Sequence, residues 1–150
     1  MSSQAEHLQE LWRIYEHERD HAPASAREVV TWAVREGKLA LPKIDPLDVL
    51  ASQMASALRE EYATDAQGNR YRVNHAVRIT KSGVQTTFWG ILGYAHSGHM
   101  RMSFTQRREQ IVGDCLQLQN DVDAYNNLYP KERVQLELNF AEDVAERRAG

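Results

Sequence analysis

The chain has 150 residues, of which 42% are hydrophobic and 26% charged, and a formal net charge of −3. A domain of that size buries about 68–70% of its unfolded surface, enough for a core without staples, and the composition excludes a disordered tail. The single Cys115 excludes an intramolecular disulfide, and the most apolar stretch, Thr86 to Ala95, is too short to span a membrane.

A first helix is expected over about Gln4 to Asp20, with Leu8, Leu11, Trp12 and Tyr15 on one buried face. Ser25-Ala26-Arg27-Glu28 reads as a capping box that opens a second helix, with Ala26, Val29, Val30 and Ala33 inward and Gly37 at its end. Asp45-Pro46 opens a third, an N-cap carboxylate before a proline, carrying Leu47, Leu50, Met54, Leu58 and Tyr62 inward.

The period then changes to 2. Tyr71, Val73, His75, Val77 and Ile79 alternate with Arg70, Arg72, Asn74, Ala76, Arg78 and Thr80, one largely apolar face against one basic face. Ser82-Gly83 suits a two-residue hairpin turn. Folding there pairs Lys81 with Val84, Ile79 with Thr86, Val77 with Phe88 and Val73 with Leu92, and sets Arg78 opposite Thr87 and Ala76 opposite Trp89. A one-residue slip would mix the faces.

A long helix is expected next, from near Gly98 or from the capping-box-like Ser103-Phe104-Thr105-Gln106, to just before Pro130. Phe104, Ile111, Leu118 and Tyr125 repeat every seven residues with Cys115 and Val122 interleaved, a coiled-coil-like seam. Val134, Leu136, Leu138 and Phe140 alternate with polar residues, as in a short strand able to join the hairpin. A polar helix over about Ala141 to Arg148 ends the chain.

The expected fold class is therefore α+β, mainly α, in one domain over 1–150. Three short helices followed by a hairpin resemble a winged helix in layout over residues 4–92, with the long helix over 98–129 and a strand and terminal helix over 134–148. No diagnostic motif accompanies that layout.

Charge is segregated along this plan. The 43 residues from Ala66 to Arg108 hold seven Lys/Arg and no Asp or Glu, so the remainder of the chain is −10. A patch of one sign sets the local field whatever the total, and a basic one points to a polyanion. Arg72, Arg78 and Trp89 share one hairpin face with Lys81 near its tip, and Arg70, Arg101, Arg107 and Arg108 complete the candidate nucleic-acid-binding set. Cations around a flat aromatic neutralise phosphate and offer a base a stacking partner. The third helix, with Asp45, Asp48, Glu60 and Glu61 against Arg59 alone, would be repelled by phosphate, which argues against major-groove reading.

His17-Glu18-Arg19-Asp20-His21 matches H-E-x-x-H, and the five-residue resemblance to zincin metalloproteases implies a zinc-dependent hydrolase with His17 and His21 as ligands and Glu18 as general base. It departs from that pattern in its charged intervening residues and in Pro23 so close behind. No third ligand is assigned, although His75, His96 and His99 are candidates, and a polar helix end with His21 near the C-terminal dipole is the plainer reading. His96-Ser-Gly-His99 has too few ligands for zinc, and Cys115 reads as a small core residue.

These residues point to a cytoplasmic, non-enzymatic protein with no cofactor and no metal. It would bind nucleic acid, DNA in the first instance, as an accessory or regulatory factor, and dimerise through the 104–125 helix seam. A protein-interaction module for an acidic partner is the alternative, and the hydrolase the third. Glu137 separates the first two: placed among the arginines, it would neutralise the patch internally.

Overall fold

The protein is described by a computed structural model covering residues 3–150. It is α+β and mainly α, with five helices and two antiparallel hairpins among the described residues. Helices α1 (Gln4–Glu18), α2 (Ala26–Arg35) and α3 (Pro46–Arg59) precede strands β1 (Tyr62–Thr64), β2 (Arg70–Arg72), β3 (Asn74–Lys81) and β4 (Val84–Ile91). The long α4 (Ser97–Leu128) and α5 (Ala141–Ala149) follow. The chain divides into two compact units, Met1–Ser52 and Gln53–Gly150, so the boundary falls inside α3 and not at the connection between the hairpin and α4. No helix among the described residues is long and apolar enough to cross a membrane.

In the first unit Ser3 closes a full capping box: its Oγ accepts the Glu6 N–H at 3.1 Å and the Glu6 carboxylate accepts the Ser3 N–H at 3.2 Å. The second box is only half formed. Ser25 Oγ accepts the Glu28 N–H at 3.1 Å, but the Glu28 carboxylate accepts from the Tyr15 hydroxyl and so ties α2 to α1. Tyr15 and Trp32 meet edge to face, ring centroids 5.2 Å apart, within a core of Leu11, Tyr15, Val29, Trp32 and Ala33. Leu11, Tyr15, Val29 and Ala33 are buried as expected; Trp32 joins them edge-on to Tyr15, while Leu8, Trp12 and Val30 are more than a third exposed.

Asp45 caps α3, its Oδ1 accepting the Leu47 N–H at 3.0 Å, as the sequence suggests. The inward face does not follow: no residue of α3 is buried, and Leu47, Leu50 and Met54 are exposed. Tyr62 is not in the helix at all. It starts β1, which pairs with β2 around a turn in which the Asp65 carboxylate accepts the N–H groups of Gln67 (3.0 Å) and Asn69 (2.8 Å).

The main hairpin has the register expected from its alternation, from Lys81↔Val84 through Val77↔Phe88 to Ala76↔Trp89, and the Leu92 N–H donates to the Val73 carbonyl at 2.9 Å. Ser82 and Gly83 both have positive φ (51° and 77°), the geometry of a type I′ turn. The β3 backbone groups at Ala76 and Arg78 point away from β4, and α4 satisfies them. Ser103 Oγ donates to the Ala76 carbonyl at 2.7 Å; the Gln106 carboxamide accepts the Arg78 N–H and donates to the Arg78 carbonyl, both at 2.9 Å. His99 Nε2 donates to the His75 carbonyl at 2.8 Å. Ser103 and Gln106 therefore close a strand edge, not a helix cap, because α4 already begins at Ser97. Only Ser103 and Asn126 of α4 are buried.

Residues of α4 cover the base of the hairpin's apolar side, where His75 and Val77 are buried, and leave it open toward the tip, with Ile79, Val84 and Phe88 exposed. The outward edge of β4 carries no partner strand. Residues 134–140 form no strand, against expectation. The Asn126 carboxamide holds the Val134 N–H (2.7 Å) and carbonyl (2.8 Å), and the chain returns along α4 until Leu138 and Phe140 border a hollow with Phe104 and Ile111.

Replacing Ser103 with Ala leaves the Ala76 carbonyl buried without a donor and is expected to destabilise the second unit by about 1–3 kcal/mol. Gly90→Ala is expected to destabilise it by a similar ~1–3 kcal/mol, because an added Cβ would lie 2.8 Å from both Ala95 Cβ and the His99 ring. Urea denaturation of each variant measures the loss.

Candidate functional site

The second unit contains a cleft of about 660 Å³ between the hairpin and α4, within which Arg59, Arg72, Arg78 and Arg107 converge with Trp89. Four elements position them. Arg59 ends α3 and Arg72 ends β2; Arg78 lies in β3 where Gln106 fixes the backbone, and Arg107 is the next residue of α4. Trp89 opposes Ala76 across the hairpin, one rung pair from Arg78 and Thr87 on the same face. The Arg59 guanidinium is 5.4 Å from the Trp89 ring centroid, cation–π distance.

Among the described residues the only ion pairs are His21 with Glu16 (2.7 Å) and Arg108 with Glu109 (3.4 Å). The four cleft arginines thus have no carboxylate within bridging distance. Burial and the neighbouring Arg72 both pull the Arg107 guanidinium below its ordinary value, with Tyr62 opposing. Glu109 is the one carboxylate on the lining. Glu61 lies behind Asn74, accepting from its Nδ2 at 2.9 Å, while the Leu58 carbonyl accepts from the same group at 3.1 Å.

His75 forms part of the cleft wall and is 4% exposed. Its Nε2 lies 2.7 Å from the Arg72 carbonyl, which can only accept, so the ring carries its hydrogen on Nε2. Nδ1 is buried with no partner. The ring meets Phe104 edge-on, centroids 5.4 Å apart. Burial above all, then the charges of Arg107, Arg72 and His99, pushes the imidazole below its usual value, against the hydrogen bond to Arg72 that favours the charged form.

Of the residues expected from sequence, Arg72, Arg78, Trp89 and Arg107 come together. Arg70 lies over the Tyr62 ring at 4.2 Å, Lys81 sits at the hairpin tip and Arg101 on the first turns of α4, none of them on the cleft lining. Arg108 points to the hollow under Leu138. Arg59 was overlooked because its helix is acidic; as that helix's one cation, set at its end, it was the signal available. Glu137 is not among the arginines: its carboxylate accepts the Asn139 N–H at 2.9 Å.

The rings of His17 and His21 meet edge to face, centroids 5.7 Å apart, although only His17 lies within the helix. Helix α1 ends at Glu18, and Asp20 and His21 both have positive φ, so His21 turns back to pair its Nδ1 with Glu16. Among the described residues no three His, Cys, Asp or Glu side chains gather as a metal-binding group. No protein-family model, curated protein or solved structure matches this chain.

The depressed His75 has a direct consequence for stability. Below the ordinary histidine value, about 6.5, the unfolded chain takes up a proton that the folded ring refuses, so stability is present above that pH and is lost as pH falls toward the folded value. The melting temperature of the second unit's transition is expected to drop between pH 7.5 and 5.5, and His75→Gln to flatten that drop. Calorimetry across this range is the measurement.

Proposed function

We propose that this protein binds nucleic acid through the arginine cleft and acts there in an accessory or regulatory role. The observation that carries the reading is four guanidinium groups facing one concavity with no carboxylate paired to them. Like charges held together are costly unless something anionic joins them, and phosphate is the anion that guanidinium geometry suits. The position of Glu137 supports the same reading, since a carboxylate among the arginines would have neutralised the patch internally and weakened it.

With about four phosphates engaged, log K is expected to fall against log salt with a slope near −3.6 on duplex DNA and near −2.8 on a single strand. Joint replacement of Arg72, Arg78 and Arg107 by Glu is expected to abolish binding. Fluorescence anisotropy with labelled DNA measures both, and failure of the wild-type protein to bind any DNA at low salt refutes the reading.

Association is the second part of the proposal. Phe104, Ile111, Leu118 and Tyr125 are each at least 40% exposed, and their seven-residue spacing fits a second copy of the same helix. The chain exposes 12863 Å², whereas two separate globular bodies of the two units' sizes would expose about 9,300 Å² together. That surplus exceeds the roughly 800 Å² per partner of a standard interface. A two-fold dimer through this seam would present two clefts to one polyanion. Leu118→Glu is expected to give a folded monomer by light scattering where the wild type is a dimer; a wild-type monomer at tens of micromolar refutes it.

A further inference from the structure

Resting on the polyanion reading, we infer that the cleft takes unpaired nucleotides, with a base stacked on Trp89 and its phosphates held by Arg72 and Arg107. Arginines alone would serve any polyanion, so the identity of the ligand rests on what accompanies them. Trp89 is partly exposed inside the concavity, not on a projecting tip. Bases in a duplex have their faces covered by their neighbours and cannot reach a ring set back in a cleft. A single strand offers each base face freely, and stacking on an aromatic side chain is the usual way such strands are held.

The rest of the lining agrees. Thr87, Thr105 and Gln110 border the cleft, and among the described residues their side chains make no hydrogen bond, so they are available to sugar hydroxyls and base edges. Asn74 and Gln106 are occupied, by Glu61 with Leu58 and by Arg78. The Arg59 guanidinium lies over the Trp89 ring, 5.4 Å from its centroid, so a base stacks on the part of the ring that Arg59 leaves open, or on the guanidinium plane itself. The volume of about 660 Å³ lies within the roughly 300–1,000 Å³ of small-molecule pockets, on the scale of a nucleotide unit and not of a duplex. Glu109 on the rim is engaged by Arg108.

The test compares a labelled mixed-sequence DNA strand of about 12 nucleotides, within the usual site size of such binders, with its own duplex and with inorganic polyphosphate as competitor. The strand is expected to bind at least tenfold more tightly than the duplex. Trp89→Leu should weaken strand binding roughly tenfold per stacked base while leaving polyphosphate competition unchanged, and Trp89→Phe should retain most of it. Arg72→Glu should weaken every ligand. Equal or tighter duplex binding, or a Trp89→Leu variant that binds the strand as the wild type does, overturns the inference while leaving the polyanion reading intact. No binding of any of the three overturns both. If Trp89→Leu does not fold, photo-crosslinking of the wild-type protein to a bromodeoxyuridine-substituted strand decides: attachment at Trp89 supports stacking, and attachment only elsewhere refutes it.

Discussion

A coincidence of repeat lengths governs the second unit. His99, Ser103 and Gln106 occupy positions i, i+4 and i+7 on one stripe of α4, a span of about 10.5 Å along the axis. They reach His75, Ala76 and Arg78, which span about 10 Å along an extended strand. The helix can therefore run beside β3 and meet its backbone groups turn by turn, those of Ala76 and Arg78 lying on the edge that a third strand would occupy. Gln106 completes the substitution, since a carboxamide has the donor and acceptor of a peptide group and pairs with Arg78 as a neighbouring strand would. The same device recurs where Asn126 holds Val134.

The cleft follows from that placement. Because α4 lies along the edge, its residue 107 emerges over the basic face next to Arg78, while Phe104 covers His75 from the same helix. The guanidinium cluster is thus imposed by backbone pairing, and its mutual repulsion is borne by an edge whose hydrogen bonds to α4 are part-buried at His75 and Ala76 and exposed at Arg78. His75 shares the environment: burial and two neighbouring guanidinium groups lower its proton affinity, while its Nε2 hydrogen is directed at the Arg72 carbonyl.

The elements that depend on local chemistry were readable in the sequence. Alternation set the hairpin register, Ser82-Gly83 its turn, and Asp45 the start of α3, each decided by residues close in the chain. What escaped depends on partners distant in sequence. The heptad of α4 marks its apolar seam, but nothing local announces that the two residues the helix buries, Ser103 and Asn126, are polar ones that satisfy backbone groups. The Val134–Phe140 alternation suited a strand, yet a single asparagine tethers it elsewhere. The small β1–β2 hairpin was hidden by an apolar period running on to Tyr62, and only the Asp65 turn betrays it. For the cleft, the hairpin face shared by Arg78 and Trp89 was legible, whereas Arg72, expected on that same strand, lies in the separate β1–β2 sheet and arrives, like Arg59 and Arg107, through the tertiary fold.

Covering one margin of a two-stranded ribbon leaves the other bare. From Val84 to Ile91 the outer strand has no charged residue and no proline, the features by which natural sheets usually discourage neighbours. The N–H and carbonyl groups of Gln85, Thr87 and Trp89 point outward by the same alternation that turns Ala76 and Arg78 toward α4. Concentration thereby becomes a structural variable: the ribbon can be lengthened by any extended peptide, including an unfolded copy of the same chain, and a lysine at position 85 or 87 would be the smallest change that makes the margin unwelcoming.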